Sequence, residues 1–394
     1  MPKQKINEKG LKKKKVFLLS TIWIILSIII TIIGIFLYFS KTIDRTSKPL
    51  YEEIYSETDV LTDKISRVDR LIYETLYREE VNENNIYFSE VIPRHKNEYD
   101  WDFTELLIRL PDTDAVHHLA GIISREIYKL KPTVSVKKEI YSQDQTVYHV
   151  YINNLYTHRI KLICKGVEQK KDRKVLPKVA IIIDDIGYDR ELAVSFMDYD
   201  IPIVLSILPL APYSLDIANA AKRKGCELLL HLPMEPKNYP RVNPGEGALL
   251  TDMDEKTIRQ LVKKYVKMVP GVTGINNHMG SYFTERYDKM RYLLEEVKAL
   301  DLFYVDSRTT KRTVAYKLAK SMGVPAAKKS VFLDNDITQE AIKLQMDRLL
   351  SIARYSGSAV GIGHPHRETL KVLREYVDLL KKDYKVVPVS ELTN

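Results

Sequence analysis

Val179-Ala180-Ile181-Ile182-Ile183-Asp184-Asp185-Ile186-Gly187 joins five apolar residues to two adjacent carboxylates and a glycine. An apolar run of this kind is the mark of a strand buried on both faces, as in a parallel sheet covered by helices. Similar runs recur at Ile203–Leu208, Glu227–Leu230, Phe303–Val305, Ala359–Ile362 and Lys385–Val389. Helical periodicity fills the intervals. Ile258, Leu261, Val262, Tyr265 and Val266 share one face of a helix over Thr257–Val269, with Asp252 and Glu255 as its capping box. Ile342, Met346, Leu349, Leu350 and Ala353 mark another helix. Strands alternating with helices predict an α/β domain over residues 179–394, its mainly parallel sheet either open or closed as a barrel.

Upstream of this domain the pattern changes. Residues 166–178 are charged and aperiodic, as a linker would be. Residues 101–165 read as a small α+β unit: a strand over Asp102–Leu110, a helix over Asp112–Leu130, then alternating β-branched runs at Thr133–Tyr141 and Thr146–Cys164 with a turn at Asn153-Asn154. His117, His118, His149 and His158 have no carboxylate cluster around them in sequence and read as ordinary histidines. Residues 40–100 are polar and helix-leaning. Leu61, Ile65, Val68, Leu71, Ile72 and Leu76 give one amphipathic helix in a helical stalk.

The chain has 394 residues, with 61 basic against 52 acidic side chains, a net +9. That balance invites a nucleic-acid reading, but the charge is uneven. Residues 1–15 hold seven lysines against Glu8, and the rest of the chain is close to neutral. Residues 16–39 contain no charged side chain, a stretch long enough to cross a bilayer core. A cleaved signal peptide has a shorter apolar stretch and a small-x-small site, and neither is present. The expectation is a single-pass anchor in the inner or plasma membrane with its basic tail, residues 1–15, in the cytoplasm and everything after residue 40 outside it. The outer part has no stripe of basic and aromatic residues for nucleic acid. Two cysteines, Cys164 and Cys226, are too few for a disulfide scaffold or a four-cysteine zinc module.

In α/β folds chemistry sits beyond the C-terminal ends of the strands. Asp184-Asp185 ends the first run, and one such carboxylate can hold a metal while the other takes a proton. His231-Leu232-Pro233-Met234-Glu235-Pro236 ends another. Asn276-Asn277-His278-Met279-Gly280-Ser281 follows a short run at Thr273–Ile275, and its amides are placed to orient a ligand ring. Val305-Asp306-Ser307 and Gly363-His364-Pro365-His366 close two more. All four histidines of this domain fall at strand ends. An Asp with two His and open positions suits a divalent metal such as zinc that activates water. The chain carries neither a G-x-S-x-G elbow nor a glycine-rich phosphate loop, so serine-hydrolase and nucleotide readings fall.

Ile-Ile-Asp-Asp-Ile-Gly, His-Leu-Pro-Met-Glu-Pro, Asn-Asn-His-Met-Gly-Ser, Val-Asp-Ser and Ile-Gly-His-Pro, in that order over residues 178–394, resemble the divergent polysaccharide deacetylase family, a distant branch of the NodB-type carbohydrate esterases. The resemblance implies a distorted (β/α) barrel and metal-dependent removal of acetyl groups from N-acetylated sugars, with an envelope polysaccharide such as peptidoglycan as partner. It implies Asp184 as general base, Asp185 and His231 as ligands of a divalent metal, most simply Zn²⁺, and His364 as general acid. The family's second histidine position is Glu235 here, so His278 is expected to supply the missing imidazole. Glu235 is then a competing ligand or, with Asn277 and Asp306, a substrate contact. The same replacement supports an alternative, a catalytically inactive glycan-binding or scaffold protein of the cell envelope.

Overall fold

This computed structural model describes Thr31 and residues 58–97, 99–164 and 175–393. The expected tail, residues 1–15, lies outside the described residues, as does the expected span, residues 16–39, except for the helical, exposed Thr31. No helix among the described residues is long and apolar enough to cross a membrane.

Two sheets and their helices build the described chain. The first sheet holds β1 (Ile86–Lys96), β2 (Tyr99–Leu110), β3 (Val134–Ser142), β4 (Gln145–Ile152) and β5 (Leu155–Cys164), in the order β1-β2-β5-β4-β3. Only the β2–β5 pair is parallel. Helices α1 (Thr58–Arg78) and α2 (Thr113–Tyr128) pack their apolar stripes on one face of it, burying Leu61, Val68, Ile72, Leu119 and Ile123. Asn153 and Asn154 both take positive φ between β4 and β5, as the turn reading requires. The helical-stalk expectation for residues 40–100 is corrected beyond α1: Ile86–Lys96 is an edge strand, antiparallel to β2. Its Pro93 and its charged residues disguise it, and an edge tolerates both because one side of the ladder makes no strand pairing.

The second sheet is parallel throughout. It contains β6 (Lys178–Ile186), β7 (Val204–Ile207), β8 (Leu228–Met234), β9 (Val272–Met279), β10 (Phe303–Asp306), β11 (Ala326–Lys328), β12 (Val331–Phe332), β13 (Ser358–Gly363) and β14 (Lys385–Val386). The order is β11-β10-β9-β8-β7-β6-β13-β12, with β14 beside the start of β6. The first and last of these strands, β11 and β12, are consecutive in the chain. Only Lys329 and Ser330 lie between them, and their N–H groups bond Asp306 O on one side at 2.9 Å and Val360 O on the other at 2.8 Å. The chain itself therefore bridges the two edges of a curled α/β barrel.

Around the barrel run α3 (Arg190–Met197), α4 (Ser214–Arg223), α5 (Glu255–Met268), α6 (Tyr287–Ala299), α7 (Ala315–Ser321), α8 (Gln339–Ser356) and α9 (Arg367–Asp383). Asp254, not Asp252, caps α5, accepting from Thr257 N–H at 2.8 Å. The continuous apolar run of β6 is explained by its two buried faces. Val179, Ile181 and Ile183 pack against the helices, while Ala180 and Ile182 join Val204, Leu229, Phe303 and Ile362 in the barrel interior.

The two sheets belong to one compact unit, residues 51–394. β1 lies along α8, where buried Ser351 Oγ donates to Ile86 O at 2.9 Å and accepts the Phe88 N–H at 3.0 Å. Arg348 of α8 also reaches Asp69 of α1 at 3.5 Å and Thr104 of β2 at 3.1 Å.

Candidate active site

Residues of one strand alternate between faces, so Asp184 continues the inward series of Ala180 and Ile182 while Asp185 should face the helices. Two features turn Asp185 back. The register of β6 against β7 slips between Ile183 and Ile186, and Asp185 takes φ +55°. A bulge and a left-handed residue thus bring both carboxylates to the inside. The turn that follows needs Gly187: at φ +146°, a Cβ there would stand 2.5 Å from Ala211 Cβ.

Inward positions of the neighbouring strands supply the rest: Ser206 on β7, His231 on β8, Asn276 and His278 on β9, and His364 just beyond β13. His231 and His278 lie within their strands, because the ladder runs on past the apolar residues through Pro233↔His278.

Asp185, His231 and His278 form a buried trio whose ligand atoms all lie within 4.8 Å of one another. His278 Nδ1 is 2.8 Å and His231 Nε2 3.0 Å from Asp185 Oδ1. Neither contact has the alignment of a hydrogen bond, so both carboxylate oxygens of Asp185 lack a hydrogen-bond partner in a buried site. Burial pushes the Asp185 carboxyl upward, but His278 and His231 outweigh it and hold the group far below the usual carboxylate range. A buried, ionised carboxylate with no hydrogen bond is costly, and one carboxylate with two imidazoles is a donor set for a divalent cation. The residues present therefore fit the metal that the sequence implies.

Asn276 organises this trio from behind. Its Nδ2 donates to Asp184 Oδ1 at 2.8 Å, and its Oδ1 accepts from Ser206 Oγ at 2.6 Å and faces His231 Nδ1 at 2.8 Å. With an acceptor at Nδ1, the network assigns the proton of His231 to that nitrogen and leaves the Nε2 lone pair toward Asp185. Nearby Asp184 and Asp185, together with Asn276, outweigh the effect of burial and raise the basicity of His231.

His364 stands level with Asp184 on the adjacent strand, because Gly363 pairs with Ile183. Its Nδ1 lies 2.7 Å from Asp334 Oδ1, and its backbone N–H donates to Asp334 Oδ2 at 2.6 Å. Thr369 Oγ1 donates to the same oxygen at 2.6 Å. Burial opposes ionisation of Asp334, yet His364 and these donors hold its carboxyl below the usual range.

The three expected substrate contacts, Glu235, Asn277 and Asp306, are each held by bonds within the scaffold. Glu235 lies outside the ligand trio: its Oε2 accepts from Thr251 N–H at 2.5 Å, and its carbonyl takes the N–H groups of Tyr282 and Phe283. Asn277 Oδ1 accepts from Tyr304 OH and Ser307 N–H, while its Nδ2 donates to Met279 O. Asp306, fully buried, accepts from Arg308 N–H, Thr313 Oγ1 and Tyr316 N–H, pinning the segment that leads into α7. Two residues singled out by geometry were not assigned from sequence, Ser206 and Asp334. Asp334 follows a strand of only two residues, too short to announce itself.

A family model described as divergent polysaccharide deacetylase matches residues 181–393. The uncharacterized protein YibQ of Escherichia coli strain K12 is 34% identical over 217 residues, 55% of this chain and 67% of YibQ. An uncharacterized protein of Haemophilus influenzae is 33% identical over 215 residues, covering 55% of this chain and 76% of that protein. Among solved structures, the uncharacterized protein ATU2773 from Agrobacterium tumefaciens C58 superposes with a TM-score of 0.53 at 23% identity, over 57% of this chain and 92% of that one, a likeness of fold.

Proposed function

The chain belongs to the divergent polysaccharide deacetylase family, and from that premise we propose that it is a membrane-anchored, metal-dependent hydrolase that removes acetyl groups from N-acetylated sugars of an envelope polysaccharide such as peptidoglycan. The observation that carries this reading is the shared inward face of Asp184, the buried trio Asp185, His231 and His278, and the Asp334-held His364. Anchoring is argued from the uncharged residues 16–39 behind their lysine-rich tail.

Asp185, His231 and His278 would hold the cation, with zinc the metal their donor set suits best. When bound, a divalent cation there supplies Lewis acidity, which makes water a nucleophile at neutral pH and polarises the acetyl carbonyl. Asp184, fixed by Asn276 Nδ2, takes the proton of the attacking water at a carboxylate oxygen. His364, its Nδ1 proton committed to Asp334, delivers a proton from Nε2 to the departing sugar amine. The buried inward face keeps bulk water from the two carboxylates and strengthens each of these interactions.

Metal content and acetate release from N-acetylglucosamine oligomers, wild type against Asp185→Ala, test the reading. About one metal per chain and acetate release are expected for the wild type, and both should be lost in the variant. Metal-free wild type with no release under any divalent supplement overturns it.

One feature favours a second reading, a non-catalytic glycan-binding protein of the same fold. Glu235 stands where the family resemblance places a histidine, and its carboxylate is engaged by Thr251 N–H. That reading expects glycan binding without turnover in the wild type, retained in Asp184→Asn and His364→Ala.

A further inference from the structure

Among the described residues of the barrel, exposed large apolar side chains are not scattered. Tyr188, Tyr213, Leu215, Tyr239, Tyr287 and Ile337 all stand on segments that follow the C-terminal end of a strand, against Val175 and Leu176 before β6 and Tyr355 at the foot of α8 at the other end. Single exposed apolar residues are ordinary, but their collection at one end of a barrel, around its site, marks a binding surface.

Two of these tyrosines stand on segments bonded to each other. Tyr188 is three residues past Asp185 and 48% exposed, and Tyr213 is 44% exposed. Their segments are joined by backbone bonds: Leu208 N–H donates to Ile186 O and Tyr213 N–H to Gly187 O, each at 2.9 Å. Ser214 Oγ braces the second segment on the carbonyls of Leu208 and Ala211. The rings are thus half in water on a backbone that is held in place. A binding surface does this, because ordering is then complete before a ligand arrives.

We propose that Tyr188 and Tyr213 form a stacking platform for a sugar ring of the polysaccharide, adjacent to the unit whose acetyl group lies over Asp184. The proposal rests on the carbohydrate reading above. A pyranose presents an apolar C–H face ringed by hydroxyls. A tyrosine matches both, with a flat apolar face and a phenol at its edge. Continuity with the site selects a sugar chain as the occupant over a protein partner, since half-exposed Tyr188 stands only three residues past Asp185. The platform makes the protein a reader of oligomers, with binding energy gathered beyond the reacting unit.

A β-1,4-linked N-acetylglucosamine tetramer, titrated calorimetrically into the full chain carrying Asp184→Asn so that no acetate is released, reads the platform directly. Tyr188→Ala and Tyr213→Ala should each weaken tetramer binding about 5–10-fold. Tyr188→Phe and Tyr213→Phe should stay within about threefold of their parent, because the ring face remains. Tyr355→Ala, an exposed tyrosine at the other end of the barrel, should change nothing. Loss in both alanine variants supports the platform whether or not the wild type releases acetate. Acetate release by the wild type, with tetramer affinity untouched by the alanine substitutions, overturns the platform and leaves the deacetylase reading standing. A parent chain that does not bind the tetramer also overturns it.

Discussion

Asp334 grips His364 twice, accepting at Oδ1 from its Nδ1 at 2.7 Å and at Oδ2 from its backbone N–H at 2.6 Å, so that ring position and ring tautomer are set by one carboxylate. Asp334→Asn keeps the size of the group but loses the charge and turns an N–H toward donors. Acetate release should fall by about 10²-fold, and His364→Ala combined with Asp334→Asn should be no worse than His364→Ala alone, because the two act as one unit. A double variant markedly slower than either single one would show that Asp334 has a separate role.

Asn276 touches both the proposed base and a proposed ligand, and its removal should be felt first in metal affinity. Asn276→Ala should lower zinc affinity about 10–100-fold, read by competition with a chromophoric chelator. It also leaves buried Ser206 Oγ without its acceptor, at about 1–3 kcal/mol of stability. Unchanged zinc affinity would remove Asn276 from the site's support.

Away from the site, Asp347 of α8 accepts from Tyr376 OH of α9 at 2.6 Å. Burial, opposed by that hydrogen bond and reinforced by Glu83, pushes its carboxyl up to about 7. The folded value lies above the unfolded one, so the group's contribution is complete below about pH 4 and is lost as pH rises through about 7. Asp347→Asn should remove this loss and be more stable than wild type at pH 8 by on the order of 1–2 kcal/mol, with little difference at pH 4. Thermal melts across that range check it, and parallel curves for the two proteins would refute it.

Ser351 joins the first sheet to the barrel through Ile86 O and Phe88 N–H of β1. Ser351→Ala leaves the Phe88 N–H of the strand edge without its buried acceptor and Ile86 O with Arg354 Nη2 at 3.4 Å, at about 1–3 kcal/mol. A single unfolding transition at lower temperature is expected, since the two sheets belong to one unit. A melt split into two transitions would show that they unfold independently.

Much of this was legible in the sequence. Val179–Ile183 announces a strand buried on both faces, and the strand-end histidines announce a site, because inward polar residues in a barrel are costly unless used. The positions of His231 and His278 within their strands were harder to read. An apolar run ends at the first polar side chain, whereas the backbone ladder of β8 and β9 continues through Pro233 and Met279. Glu235, Asn277 and Asp306 stand at site positions, and each also accepts a backbone N–H of a neighbouring loop, a use that local sequence does not distinguish from a substrate contact. Asp334 and β1 escaped for opposite reasons: one follows a strand too short to show a pattern, and the other is a long strand whose edge position tolerates proline and charge.

The step through Lys329 and Ser330 also bears on solubility. Open sheets end in rows of unpaired N–H and C=O groups that invite strand exchange and fibrous association. Here the outermost strands of the barrel are three and two residues long and are consecutive in the chain, which leaves little ladder for another molecule to extend. Of the two outer strands of the other sheet, β1 lies along α8, and β3 carries Lys137, Lys138 and Glu139 in its middle. Charges there oppose pairing by an incoming copy, so the protein can be crowded without its sheets zipping together.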